Sequence, residues 1–512
     1  MNLSNYYKET KFIALLTGLV ISLVYGPLIF ATEYHADLEY IILTKGSMYN
    51  WSALDRFGLI LVKKLTSLSW YNPFFEGFLF IITLMITVFF LSYLFRILMG
   101  QISPMVPYIA SALFLIFPTF TEQFYFRFQC FEMLFAILLL VISALMLHTF
   151  IKDKKIYSAF IAVILSVISF GIYQAMLNLM ITFYLGMFTL MLFNEEKKTI
   201  IRGTITCPSH FLISAFLYKL VCMIVCKSDG YFSDKIFWDD YPFSTCYHFV
   251  KHYIRNVLLG EKYVYTLSFL IMIIVSLIAF VMLVIKIKAK ALLNLVGIIG
   301  LMISPFLLAI LQGFEAEART QLSLPLSIAF LWLFVMTVID KFYKKAFNKI
   351  DLSIPFIALA FICLIMNIVP SERLIYSYKM QADFDEAIMH EVAMDLTNYN
   401  CKSDEDDALP VIILGQIPYS PNASCYEYNE ENDLYILSSV FSLDKEVSPE
   451  YFFSTNRIIG AMNANGYKFK APQESTFMND AYANAASLPS FPNEGYILQT
   501  DNYVLVKLSD IN

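Results

Sequence analysis

Residues 157–193 read YSAFIAVILSVISFGIYQAMLNLMITFYLGMFTLMLF, thirty-seven consecutive residues without a single Asp, Glu, Lys, Arg or His. A helix rises about 1.5 Å per residue, so a single helix of this length would extend about 55 Å. Roughly 20 residues suffice to cross about 30 Å of hydrocarbon. The stretch therefore predicts two membrane spans that meet near Gly171–Gln174.

Working outward, further apolar stretches run Phe12–Ala31, Phe74–Phe95, Pro104–Phe120, Phe131–Phe150, Phe211–Cys226, Val264–Ile285, Leu292–Leu311, Leu322–Ile339 and Leu352–Val369. With the split pair they make eleven expected spans. Phe12–Ala31 follows Lys8 and Lys11, exceeds the apolar core of a signal peptide and lacks a small-x-small cleavage site, so it is read as the first anchor.

Composition agrees. The chain has 512 residues, 58% hydrophobic and only 15% charged, with a mean hydropathy of +0.62; soluble domains carry roughly a quarter charged residues. The charge is also unevenly spread. Residues 1–370 hold 28 Lys/Arg against 20 Asp/Glu, and residues 371–512 hold 8 against 22. That division predicts a membrane body over 1–370 and an acidic, water-facing tail over 371–512. No basic face is present to neutralise phosphates, so nucleic acid is not expected as a partner.

Loop charge sets the orientation. With the N-terminus inside, the inside segments carry 16 Lys/Arg in 55 residues, nearly three times the density of the outside loops. Eleven spans then put the tail outside. Two outside loops, 32–73 and 227–263, exceed mere connectors. In the first, Leu54, Phe57, Leu61 and Leu65 share a helical face, with Lys63 and Lys64 placed to reach headgroups. The second holds GYFSDKIFWDDYPF and the amphipathic stretch Phe249–Leu259. Its Trp238, Asp239 and Asp240 place an aromatic face beside carboxylates, which suits sugar rings and equally an interfacial belt.

The tail reads as a small α/β domain: a helix over Tyr376–Tyr399, a buried strand in Pro410–Gly415, and a hairpin over Tyr496–Leu508 turning at Asp501-Asn502. Cys401 and Cys425 have the option of pairing in an oxidising compartment. The other six cysteines show no metal-ligand spacing, and phosphate-loop, dinucleotide and serine-hydrolase motifs are absent.

The chemistry-bearing feature is the acidic pair Asp37 and Glu39, with Tyr34 and His35 nearby, directly after the first span. A solvated loop is the plain alternative. Carboxylates at this depth also fit sugar transfer from a lipid carrier, whose polyprenyl tail stays in the bilayer and holds the reacting centre near the headgroups. There one carboxylate would serve as general base on an acceptor hydroxyl, and an arginine would meet the departing phosphate. Arg56, Arg319 and, less strongly, Arg127 are the candidates; Asp239 and Asp240 are the rival acids. No cofactor is expected, with a divalent cation on Asp37 and Glu39 left open.

Several local features carry a family resemblance: Tyr34-His-Ala-Asp37-Leu-Glu39-Tyr after span one, Asp55-Arg56-Phe57-Gly58, Ser169-Phe-Gly-Ile-Tyr173-Gln174-Ala, the Phe314-Glu-Ala-Glu-Ala-Arg319-Thr loop and an exterior C-terminal domain. Together they resemble the serotype-converting O-antigen glucosyltransferases, the glucosyl transferase II family of GT-C type membrane enzymes. In that family the acids are often adjacent and a Gly-Arg element follows them. Here they are spaced Asp-x-Glu and the arginine follows Asp55, so the choice of base and of phosphate ligand stays open.

The resemblance implies a polytopic α-helical protein of the bacterial inner membrane, with its tail periplasmic. It implies transfer of glucose from undecaprenyl-phosphate glucose to O-antigen sugars by inverting displacement. Tyr34, His35, Tyr173, Gln174, Trp238, Asp239 and Asp240 would contact sugar. The implied partners are membrane lipids, a cytoplasmic-side donor synthase and a small flippase. The competing readings are an O-antigen polymerase, a different polyprenyl-phosphate glycosyltransferase, and a transporter. The last is disfavoured by the lack of repeats and the rarity of intramembrane charge, Lys219 and Glu132 being the exceptions.

Overall fold

A computed structural model describes residues 3–32, 48–69, 72–100, 102–227, 236–287, 291–343, 351–404, 407–417, 425–426, 434–441, 453–472 and 477–510. Nine helices among them are long and apolar enough to cross a membrane: Leu3–Ile29, Pro73–Met99, Arg127–Asp153, Ala175–Asn194, Lys197–Val225, Ser268–Lys286, Leu292–Gln312, Ser323–Phe342 and Ser353–Leu396. Met105–Leu115 and Pro118–Tyr125, bent by 54° at the break between them, are together long and apolar enough for a tenth. The bend falls where Pro118 opens the second helix and cannot donate to the first. The eleventh apolar segment, Ile156–Ile172, is a 17-residue helix. The 37-residue stretch thus divides as its length demands. Tyr173 is extended, with φ −155° and ψ 127°, and a new helix starts at Ala175.

The chain forms two compact units. One comprises residues 1–30, 48–124 and 129–372, and the other chiefly 373–512. In the first unit Ser323–Phe342 is buried almost throughout. Phe330 there seats against Gly186, whose bare Cα leaves the ring its place. Lys197–Val225 lies at the periphery, with Phe216, Met223 and Ile224 more than half exposed. An apolar surface of this kind is what a lipid-facing helix requires.

A short helix, Phe57–Thr66, crosses Ile156–Ile172 at a glycine contact. A Cβ on Gly58 would lie 2.5 Å from the Ile168 carbonyl oxygen, and one on Gly171 would lie 2.6 Å from the Phe57 ring. The outward face carries Leu61 and Leu65, 43% and 76% exposed. Lys63 departs from expectation: it does not reach headgroups but is fully buried, as is Glu132, which does not snorkel. Their ends meet at 2.9 Å, and that pairing is what permits two charges in an apolar interior.

The second unit is an α/β layer structure. Strands β1 (Val411–Leu414), β2 (Ile497–Gln499) and β3 (Val504–Lys507) form a sheet in the order β1-β3-β2. β1 pairs parallel to β3, and β2 pairs antiparallel to it. Side chains alternate across the pleat. Val411, Ile413, Val504 and Val506 pack with Val392, Leu396, Ile459 and Met462, while Ile412, Leu414 and Leu505 pack with Met478, Ala481 and Ala485. The strand in Pro410–Gly415 and the hairpin at Asp501-Asn502 stand where the sequence placed them. The cysteine pairing that the sequence left open is not made in this structure: Cys401 is buried with its thiol on the Leu396 carbonyl, and Cys425 is exposed. Sequestration in the core keeps Cys401 from any surface thiol.

Candidate functional site

The turn before the Phe57–Thr66 helix organises a polar cluster in the first unit. Asp55 adopts φ +58°, a left-handed conformation that an aspartate tolerates better than most residues. The backbone is tied there from several sides. Arg56 N–H donates to the Trp51 carbonyl at 2.9 Å, Tyr218 Oη donates to the Asp55 carbonyl at 3.4 Å, and Gln174 Nε2 donates to the Leu54 carbonyl at 2.6 Å. Gln174 also donates to Tyr218 Oη at 3.1 Å. The turn, the kink between the two spans and the end of Lys197–Val225 are thereby one hydrogen-bonded assembly.

Within it Asp55 is 3% exposed and accepts from Lys219 Nζ at 3.0 Å. The Lys219 side chain remains 59% exposed. Arg56 points the other way. Its guanidinium lies 5.0 Å from the Tyr173 ring centroid, a cation–π contact, and Nη1 donates to Gln129 Oε1 at 3.2 Å. One face and one edge of the guanidinium are thus fixed, which lowers the entropy cost of presenting it to an oxyanion. Below it Lys63 lies 5.6 Å from the Trp51 ring and is bound to Glu132.

A second assembly surrounds Trp238. Its indole Nε1 donates to the Ile310 carbonyl at 2.9 Å, and the ring overlies Gly313, where φ is +75° and a Cβ would come within 2.8 Å. Trp238 stacks on Phe243 at 5.5 Å, and Phe243 stacks on Tyr247 at 6.5 Å. Phe243 and Tyr247 are well exposed, as are Asp239 and Asp240. Next to this assembly in sequence, Arg319 is ion-paired with Glu317 at 2.6 Å and Lys262 is ion-paired with Glu315.

The structure therefore brings Arg56 and Tyr173 together and ties Gln174 into the same assembly. It places Trp238, Asp239 and Asp240 on an aromatic, acidic surface and commits Arg319 to its neighbouring glutamate. Arg127 is buried and donates to the Ala31 carbonyl. Tyr34, His35, Asp37 and Glu39 lie outside the described residues. Gln129, Tyr218 and Asp55 join the cluster without having been assigned roles. Asp55 and Gln129 are uninformative alone, since their significance depends on partners 73 to 164 positions away. Lys219 and Glu132 did carry a signal, as charges in or beside apolar spans.

Residues 26–336 match the family model described as Glucosyl transferase GtrII. No curated protein matches the chain. The matched segment contains both assemblies and ends before the α/β tail.

Proposed function

The chain belongs to the GtrII glucosyl transferase family, and from that premise we propose that this membrane glucosyltransferase takes glucose from a polyprenyl-phosphate donor and attaches it to O-antigen sugars at the periplasmic face of the bacterial inner membrane. In this reading the tail faces the periplasm, a cytoplasmic-side synthase makes the donor and a flippase delivers it. An acceptor hydroxyl oxygen attacks the anomeric carbon as the bond from that carbon to the phosphate oxygen breaks. Asp37 or Glu39 takes the hydroxyl proton, and the electron pair leaves on the lipid phosphate. One displacement inverts the anomeric centre. Asp239 and Asp240, beside Trp238, would hold the acceptor.

The observation that carries the assignment is Arg56, held by Tyr173 and Gln129 at the end of an apolar body. A phosphate that leaves without protonation needs a fixed cation, and a planar guanidinium offers paired donors to it. Arg319, ion-paired with Glu317, is the second candidate for the phosphate.

The test is O-antigen composition in a host supplied with donor synthase and flippase. Added glucose is expected from the wild type. Asp37→Asn or Glu39→Gln is expected to abolish it in the variant that lacks the base. Arg56→Ala is expected to lower transfer about 10²- to 10³-fold, the usual loss when one oxyanion-stabilising group is removed, at unchanged membrane abundance. Equal glucose in Arg56→Ala and wild type would remove Arg56 from the phosphate site.

A further inference from the structure

Asp55 is the residue that the transfer chemistry does not use. It is buried and ion-paired, and its Oδ1 makes no hydrogen bond. Beside it, Cys222 sits in the last turn of the Lys197–Val225 helix and Cys226 immediately follows that helix. The Cys222 thiol lies 3.6 Å from the Asp55 carbonyl oxygen. One carboxylate oxygen of Asp55 and the two sulfurs lie within 4.8 Å of one another.

We propose that Asp55, Cys222 and Cys226 form a binding site for a thiophilic divalent metal ion of the zinc type. The spacing is the first ground. Zinc–sulfur bonds of about 2.3 Å and zinc–oxygen bonds of about 2.0–2.2 Å put tetrahedral ligand atoms about 3.5–3.8 Å apart, so the three donors need only small rotations to close on one ion. Cys222 and Cys226 match no metal-ligand spacing along the chain; it is the helix end, where the Cys226 N–H closes on the Cys222 carbonyl at 2.9 Å, that brings the second sulfur beside the first. Cys226 is extended, with φ −94° and ψ 158°, and so is released from the helix path.

Charge balance is the second ground. Two thiolates and a carboxylate carry three negative charges, a divalent ion leaves one, and the Lys219 ammonium on Asp55 offsets it. Lys219 thus stays in place as an outer-shell partner and need not compete with the ion. Binding releases the two thiol protons to solvent. The fourth coordination position falls to water, as in metal sites with an open position.

A bound ion would lock the Asp55 turn to the end of the helix and so fix the backbone from which Arg56 projects. The site does not depend on the identity of the sugar donor, and its test requires no transfer. Cobalt(II) alone is titrated into reduced, metal-free, full-length protein in detergent. A thiolate-to-cobalt absorption band that saturates at one ion per chain and is displaced by zinc is the expected result. Cys222→Ser and Cys226→Ser are each expected to abolish the band while elution volume and melting temperature hold. Lys219→Met keeps all three ligands and is expected to weaken binding about 10- to 100-fold, the usual cost of losing an outer-shell partner. No band in the reduced wild type would overturn the proposal. A band that survives in both serine variants would overturn it equally, as would a Cys222–Cys226 disulfide in protein isolated without reductant that leaves no thiol to bind zinc.

Discussion

Two ion pairs hold the short helix Phe57–Thr66 from opposite ends, and they differ in almost every physical respect. Lys63–Glu132 is dry: both side chains are fully buried at 2.9 Å. Asp55–Lys219, just before the helix begins, is half open: the carboxylate is buried, but the lysine is 59% exposed. In the dry pair neither charge has water to fall back on. In the open pair the lysine stays solvated, and the carboxylate keeps an oxygen, Oδ1, that Lys219 does not engage. One end of the helix is therefore closed to water, while the other is open on its lysine side.

Breaking the dry pair is expected to have the largest effect. Glu132→Ala removes the carboxylate that faces a fully buried Lys63 and should destabilise the protein by about 3–5 kcal/mol, read as a fall in melting temperature in detergent. The double variant Lys63→Met/Glu132→Leu removes both charges and should recover most of that loss. A double variant as unstable as Glu132→Ala would mean that the pair does more than neutralise itself.

The glycine contact comes next. Gly171→Val pushes a branched side chain into the Phe57 ring at the crossing and is expected to cost about 1–3 kcal/mol. Because it displaces Phe57, it should also disturb the neighbouring Arg56–Tyr173 contact. Transfer activity should fall further than stability alone predicts when both are measured on the same preparation.

The open pair should give the smallest change in stability. Lys219→Ala is expected to cost about 1–2 kcal/mol: the lysine is mostly solvated and gains little itself, but its removal leaves the buried Asp55 carboxylate without that contact. A loss as large as that of Glu132→Ala would erase the contrast between the two ends.

Much of the fold was legible from composition and period. The apolar runs marked the spans because hydrocarbon leaves a backbone no partner except itself. The 37-residue run announced its own break because its length exceeds any bilayer. A short continuous apolar run in Pro410–Gly415 and a hairpin turning at Asp501-Asn502 in Tyr496–Leu508 marked the strands of the tail. The candidate site was legible only in part. Arg56, Tyr173, Gln174 and Trp238 were picked out by type and position, but their partners were not, and the acidic loop at Asp37 and Glu39 lies outside the described residues. Lys63 was misplaced for a definite reason. Of the group Leu54, Phe57, Leu61 and Leu65, only Leu61 and Leu65 share the outward face: Leu54 lies in the turn before the helix and Phe57 packs on Gly171, because neither the Asp55 turn nor which face meets protein is written in the period.

What the sequence determined by itself was the membrane-embedded helical body and the acidic α/β tail, which follow from local composition and period; the family came from the resemblance of short motifs and the match over residues 26–336. What only the tertiary structure decided was which partner each charge meets. Lys63 finds Glu132 across 69 residues, Arg56 finds Gln129 across 73, and Asp55 finds Lys219 across 164. Hydropathy is summed along a segment, whereas a buried charge is stable only if one atom of a distant residue lies within about 3 Å of it. That condition is met by packing, through the bare backbones of Gly58 and Gly171, and by nothing local in the chain.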